Sequence, residues 1–124
     1  EVVDALNLPR LEKEGYEADD IIGTIATQAA QADLEVIIYS GDKDFMQLVS
    51  PLIKIYNPKR GGEEAEVIDI QGVKQKVGLP PDKIVDLMSL VGDTSDNIPG
   101  VHGIGPKTGV ELIQKFLPDC QFFL

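Results

Sequence analysis

The hydrophobic pattern of the first forty residues predicts helices and a strand. Apolar residues among positions 2–8 suit the end of a helix that is stopped by Asn7 and Pro9. Positions 17–32 predict an amphipathic helix, with an apolar stripe formed by Ala18, Ile21, Ile22, Ile25 and Ala29. The next apolar run, 34–39 (LEVIIY), is rich in β-branched residues and follows a helix, so it predicts a buried parallel strand of an α/β layer structure.

The pattern then changes from a hairpin to helices. Positions 52–56 predict a second strand, and the polar segment 58–64 predicts a turn that returns through Val67 and Ile68. Past residue 69 the spacing is helical at 70–77 and 81–91, with Asp93 and Asp96 expected in a loop between helices. We expect one helix to end near Ile98 and another to begin at Pro106, since proline suits the first helical position.

Composition favours a cytoplasmic protein. Of the 124 residues, 43% are hydrophobic, which allows one compact domain or a small domain with an appendage. The sequence has no apolar run of about 18 residues and no signal peptide pattern, and its single cysteine, Cys120, cannot form an internal disulfide. We expect a monomer with no membrane partner.

The net charge of -10 favours, on composition alone, a soluble acidic protein without a polyanionic partner.

Three short acidic clusters are candidates for a metal site. Divalent ions bound there would make the effective charge of the protein much less negative. The clusters are Glu17, Asp19 and Asp20; Asp42 and Asp44; and Asp93 and Asp96. Asp42 and Asp44 follow a predicted strand, where open α/β sheets bind ligands. Each cluster also has a local explanation: carboxylates are favoured in a first helical turn, Asp44 could cap a short helix, and the third pair could form Asx turns.

The segment IPGVHGIGPKTGVELI carries a phosphate-binding pattern. Glycines at 100, 103 and 105 would let a phosphate approach backbone N–H groups, and the helix from Pro106 would direct a partial positive charge at it. Lys107 and Thr108 would stand beside this phosphate. The alternative is a glycine-rich connector between packed helices, and His102 is either a solvated loop residue or a phosphate contact.

The order EGYEADD, YSGDKDF and LVGDTSDNIPGVHGIGPKTG resembles the 5′ nuclease domains of bacterial DNA polymerase I and the related flap endonucleases. The resemblance covers nearly the whole chain. It implies an incomplete three-layer, parallel-sheet, PIN-like α/β nuclease core at 1–68 and a helical helix-hairpin-helix subdomain at 69–124.

The resemblance also implies the site residues. Two Mg²⁺ or Mn²⁺ ions would be held by carboxylates, with Asp19, Asp20, Asp42 and Asp44 at the catalytic centre and Glu17, Asp93 and Asp96 as nearby or second-metal ligands. Duplex DNA and a monovalent cation such as K⁺ would bind at the hairpin. The DNA-binding residues there would be Gly100, His102, Gly103, Gly105, Lys107 and Thr108.

The activity implied by the resemblance is hydrolysis of DNA phosphodiesters at 5′ ends or flap junctions during replication and repair. The substrate would be a 5′ flap or a nicked or forked duplex, and a polymerase domain could belong to the same protein. The family has a first strand with a metal-binding aspartate and a basic helical arch, which do not occur in this sequence. We therefore expect a fragment that is weak or inactive alone. A non-catalytic DNA-binding module and a related RNA-cleaving nuclease remain alternatives.

Overall fold

A computed structural model describes residues 2–58 and 64–117 of the chain. Two 3₁₀ helices, Lys43–Leu48 and Pro81–Lys83, accompany the α-helices and strands. In chain order these are α1 Val2–Ala5, α2 Ala18–Gln31, β1 Val36–Tyr39, β2 Ile53–Asn57, β3 Glu66–Ile68, α3 Ile70–Val77, α4 Ile84–Val91, β4 Gly92–Asp93, β5 Ile98–Pro99 and α5 Pro106–Phe116. Within the described residues, no helix is both long enough and apolar enough to cross a membrane.

The main sheet has the order β1-β2-β3 and is mixed. Strands β1 and β2 are parallel, with Val36 opposite Ile53, whereas β2 and β3 are antiparallel, with Ile55 opposite Ile68. The predicted hairpin is thus confirmed, although the basic tip at 59–63 lies outside the described residues. The expectation of a parallel sheet holds for β1 and β2 only, because a strand that returns directly through a hairpin must be antiparallel.

One face of this sheet forms the hydrophobic core. Alternate strand residues point to this face, and they pack with residues from α2, α3, α4 and the first 3₁₀ helix. The buried members are Ala26, Ile38, Phe45, Val49, Ile53, Ile55, Ile68, Val73 and Ile84. On the opposite face Ile37, Tyr39 and Val67 are 67%, 71% and 57% exposed. The described residues therefore cover the sheet on one side, which agrees with an incomplete layer structure.

Helix α2 contacts the core through a different stripe from the predicted one. Its buried residue is Ala26, with Ile22 and Ala30 packed beside it, whereas Ile25 is 43% exposed. The predicted stripe included Ile22 but otherwise followed Ile21 and Ile25. The apolar surface of this helix is wider than one core contact requires, so periodicity alone did not determine which part faces the sheet.

The helical part begins with α3 and is built around the contact of α4 with α5. The side chains of Leu87 and Val91 lie against Gly109 of α5, where a Cβ atom would come within 2.8 Å of Leu87 Cδ1. The absence of a side chain at Gly109 therefore allows the two helices to approach closely. The prediction of a helix end near Ile98 is wrong, because α4 ends at Val91 and Ile98 lies in β5. A residue that precedes proline, as Ile98 does, is disfavoured in helical conformation.

Candidate metal centre and nucleic-acid hairpin

Three carboxylates from distant parts of the chain converge at one place. Asp44 lies in the 3₁₀ helix that follows β1, Asp93 lies in β4, and Asp96 lies in the turn between β4 and β5. One ligand oxygen from each lies within 4.8 Å of the others. Asp93 is buried, Asp44 is half-buried and Asp96 is exposed. We call these three residues the acidic cluster, and its spacing allows a single cation to contact more than one carboxylate.

Asp44 is the member of the acidic cluster that most needs a cation. Among the described side chains, its Oδ1 is one of the buried oxygens that lack a hydrogen-bond partner. Burial raises the pKa of Asp44, and the negative charge of Asp42 raises it further. A buried, unpartnered oxygen beside two more carboxylates suits a hard divalent cation, which prefers oxygen ligands. The donor set therefore fits a divalent metal ion.

Asp93 is held from two sides. Its Oδ1 accepts a hydrogen bond from Ser95 N at 2.7 Å, which is the Asx turn that the sequence allowed, and its Oδ2 accepts one from Lys43 Nζ at 2.9 Å. The hydrogen bond from Lys43 is the main cause that lowers the pKa of Asp93. The same bond raises the pKa of Lys43. The sequence prediction missed Lys43, although its position between two candidate ligands was a usable signal.

Asp42, rather than Asp44, caps the 3₁₀ helix. Asp42 Oδ1 accepts a hydrogen bond from Asp44 N at 3.0 Å, and the Asp42 backbone is extended, as an N-cap requires. The sequence allowed Asp44 to cap this helix, and that alternative is wrong. Because the cap is formed by Asp42, the Asp44 carboxylate remains available to the acidic cluster.

The first predicted acidic group lies at the start of α2 and faces Asp44 across a cleft. Asp19, Asp20 and Asp44 all line this cleft, which has a volume of about 680 Å³. Asp20 Oδ2 also accepts a hydrogen bond from Glu17 N at 3.0 Å, so the predicted capping role is confirmed for Asp20. Glu17 itself occupies the N-cap position and is exposed. Ligand roles for the seven acidic residues remain predictions, but three of them form the acidic cluster and two more share a cleft with Asp44.

A tight hairpin connects α4 to α5. It begins at Gly92, whose φ of 76° is a left-handed conformation that favours glycine, and Gly92 pairs with Pro99 across β4 and β5. At Gly100, a Cβ atom would overlap the Val91 carbonyl group. Gly100 therefore has a packing reason to be glycine, and its contact with DNA stays a prediction.

The outer part of the hairpin is exposed. Val101 N donates to Leu90 O at 2.8 Å and Ile104 N donates to Val101 O at 3.0 Å, which closes the turn. Helix α5 begins at Pro106, as predicted. The remaining predicted DNA-binding residues of the hairpin are all exposed, namely His102, Gly103, Gly105, Lys107 and Thr108. No described atom lies within 4 Å of a Cβ built at Gly103 or Gly105, so the backbone is open to a ligand there.

Two family profiles match the chain. The 5′-3′ exonuclease N-terminal resolvase-like domain matches residues 1–78, and the 5′-3′ exonuclease C-terminal SAM fold matches residues 79–118. The chain belongs to the 5′-3′ exonuclease family. The predicted resemblance is therefore confirmed at the level of the family.

The relatives of this 5′-3′ exonuclease chain include much longer proteins. The chain is 49% identical over 116 residues to DNA polymerase I of Bacillus caldotenax. The matched segment covers 94% of the chain and 13% of that protein. It is 42% identical to the 5′-3′ exonuclease of Aquifex aeolicus, which covers 94% of the chain and 39% of that protein. The chain thus spans well under half the length of these relatives.

Solved structures of other proteins show the same fold. The zinc-bound T5 5′-exonuclease has a TM-score of 0.79 and 24% identity, over 93% of this chain and 41% of that one. The catalytic core of Rad2 in complex with DNA substrate has a TM-score of 0.62 and 24% identity, over 93% of this chain and 34% of that one. The predicted α/β core with a helical subdomain is confirmed by these likenesses of fold.

Proposed function

We propose that this chain supplies the metal centre and the DNA-binding hairpin of a structure-selective 5′-3′ exonuclease or 5′-flap endonuclease. The convergence of Asp44, Asp93 and Asp96, with a buried unpartnered oxygen on Asp44, is the observation that carries the proposal. In a patch of acids on the surface, Asp93 would not be only 6% exposed, and Asp44 Oδ1 would not be buried without a hydrogen-bond partner. The family to which the chain belongs supplies the reaction class.

The residues of the acidic cluster would hold one divalent ion, and Asp19 and Asp20 across the cleft would contribute to a second. Mg²⁺ or Mn²⁺ bound in such a two-metal site activates water and stabilises the charge on phosphate oxygens. The chain itself orients the carboxylates: Ser95 N–H fixes Asp93, and the Asp42 cap fixes the backbone of Asp44. The cleft of about 680 Å³ would give the substrate backbone access to Asp19, Asp20 and Asp44.

The hairpin would hold the DNA duplex, with K⁺ as a candidate backbone-bound ion. One T5 flap endonuclease structure is a complex with DNA and metal ions, and many relatives are DNA polymerase I, which supports DNA as the partner and a polymerase in the same protein. Exposed backbone at Gly103 and Gly105 and the start of α5 offer N–H groups to phosphate. This mode of binding uses few cations, so it is compatible with a net charge of -10. We place the activity in cytoplasmic DNA replication and repair.

Cleavage of a labelled 5′-flap DNA by the full-length protein tests the proposed function. We expect cleavage with Mg²⁺ or Mn²⁺ and none after chelation, because the carboxylates need a cation to act on a phosphodiester. A matched RNA flap is expected to be cleaved less well. DNA binding with no cleavage at any Mg²⁺ concentration would favour a non-catalytic module instead, and preference for RNA would favour the RNA-cleaving alternative.

The hairpin contributes a separate prediction at Lys107, in the first turn of α5. Replacing Lys107 with glutamine is expected to weaken binding to duplex DNA several-fold and to reduce the slope of log affinity against log salt by about 1, because one phosphate contact is lost. Lys115→Gln, at the other end of the same helix, is the control and should leave both quantities unchanged. Fluorescence anisotropy at several salt concentrations measures both. An equal effect of the two substitutions would show a general charge effect and no specific contact at the hairpin.

A further inference from the structure

Lys43 lies inside the candidate metal centre although lysine cannot be a ligand while it is protonated. Its position in the sequence is between Asp42 and Asp44, and its Nζ atom contacts Asp93, fifty positions away, at 2.9 Å. Only 6% of the Asp93 side chain is exposed, whereas 68% of the Lys43 side chain is. The ammonium group therefore reaches a buried carboxylate from a largely solvated stem.

The charge of Lys43 acts on more than one acid. Besides its hydrogen bond to Asp93, it interacts electrostatically with Asp44 and Asp42. A dication that contacts the acidic cluster would stand a few ångströms from this ammonium. Two positive charges at such a distance repel strongly in a partly buried site. Lys43 and the divalent ion would therefore compete for the negative charge of the same carboxylates.

The geometry lets Lys43 leave without disturbing Asp93. The second oxygen of Asp93 is held independently by Ser95 N at 2.7 Å, so the carboxylate keeps its orientation when the ammonium departs. The exposed stem of Lys43 can rotate into water, where an ammonium is well solvated. Exchange of Lys43 for a metal ion therefore breaks the ion pair but requires no rearrangement of Asp93.

We propose that Lys43 is a built-in competitor of the divalent metal ion: its ammonium neutralises Asp93 and is displaced when the ion binds. This inference rests on the proposed metal centre. The consequence is a weaker, more exchangeable metal site in a protein that tolerates the loss of its ion. Lys43 is thus the counter-ion of Asp93 in the metal-free protein and a determinant of metal affinity.

The test compares Mn²⁺ affinity with stability in variants of the full-length protein. Lys43→Gln is expected to raise Mn²⁺ affinity about tenfold in isothermal titration calorimetry, since a nearby like charge is removed. In chelator, the same substitution should lower the unfolding temperature by about 2–4 °C, because buried Asp93 loses its counter-ion. Lys43→Arg keeps the charge and should restore low affinity. Lys74→Gln, at an exposed position of α3, removes the same charge elsewhere and should change neither quantity.

Opposite changes in affinity and stability are the signature of competition. An unchanged or reduced Mn²⁺ affinity in Lys43→Gln would overturn the inference, since Lys43 would then only support Asp93. Lys43→Met provides a second neutral variant if the glutamine protein does not fold, and the same rise in affinity is expected for it. If the wild-type protein binds no Mn²⁺, or if Asp44→Asn binds it as well as wild type, then the proposed metal centre fails, and the role of Lys43 fails with it.

Discussion

Replacement of Asp44 by asparagine is expected to weaken Mn²⁺ binding by about 100-fold or more and to abolish flap cleavage. This loss should exceed that from a residue which only supports a ligand, for which a 10- to 100-fold change is typical. Asp44 Oδ1 is buried without a hydrogen-bond partner among the described residues and belongs to the acidic cluster. An amide of the same shape cannot offer the anionic oxygen that the cation requires.

The fold itself should tolerate this substitution. Burial raises the pKa of Asp44, so the folded protein holds the proton more tightly than the unfolded chain does. The ionised carboxylate therefore lowers stability as the pH rises through that raised pKa, and asparagine removes this cost. In chelator at neutral pH, we expect Asp44→Asn to unfold at the same temperature as wild type or slightly higher. The hydrogen bond from Asp44 N to Asp42 Oδ1 is retained, because its donor is the backbone of residue 44.

Calorimetry with Mn²⁺, thermal unfolding in chelator and flap cleavage measure the three consequences of Asp44→Asn. Asp82→Asn is the matched control, because Asp82 is exposed in the second 3₁₀ helix and outside the acidic cluster. It should leave metal binding and cleavage unchanged. If Asp44→Asn lost stability but kept its Mn²⁺ affinity, Asp44 would be a structural residue and the proposed metal centre would be wrong.

Replacement of Gly100 by alanine is expected to destabilise the hairpin by about 3 kcal/mol or more, at or above the upper end of the usual cost of overpacking. The added Cβ would overlap the Val91 carbonyl group at the end of α4. Backbone atoms of a helix end cannot move away as a flexible side chain can. Pairing of β4 with β5 should therefore be lost, together with the hydrogen bond from Val101 N to Leu90 O.

Gly105→Ala is the control that separates folding from DNA binding. Gly105 has a φ of -94°, which alanine adopts readily, and a Cβ there meets no described atom within 4 Å. Its stability should stay within about 0.5 kcal/mol of wild type, while DNA affinity falls because the added methyl group hinders a backbone phosphate. Hydrogen exchange at the Val101 and Ile104 amides measures the folding of the hairpin. Equal protection of these amides in Gly100→Ala and wild type would contradict the packing argument.

Much of the fold could be predicted from local sequence pattern. Signals that lie within a few residues predict the strands at 36–39 and 53–57 and the return of the chain from β2 to β3. The start of α5 at Pro106 follows a local signal as well. The errors have physical causes. The apolar surface of α2 is broad enough for more than one core contact, and the end of α4 depends on the left-handed conformation of Gly92, in a segment with several glycines.

The local sequence does not determine which acidic residues come together in the acidic cluster. Each acidic cluster had a local explanation, and two of these explanations are correct: Asp20 accepts the capping hydrogen bond at the start of α2, and Asp93 forms an Asx turn. A cap or a turn uses only part of a carboxylate, so a local role does not exclude a ligand role. The pairing of Lys43 with Asp93 joins residues fifty positions apart, and only the folded chain brings them together.

The short ladder of β4 and β5 has a mechanical consequence for the proposed nuclease. Asp93 pairs with Ile98, and Gly92 pairs with Pro99, directly before the hairpin turn. Asp93, a proposed metal ligand, is thereby joined to the proposed DNA-binding hairpin by a few hydrogen-bonded residues, without a flexible linker between them. The number of nucleotides between the phosphate bound at the hairpin and the phosphodiester that is cleaved would then be fixed by the protein. The pairing of β4 with β5 would thus set the position of cleavage along the DNA strand.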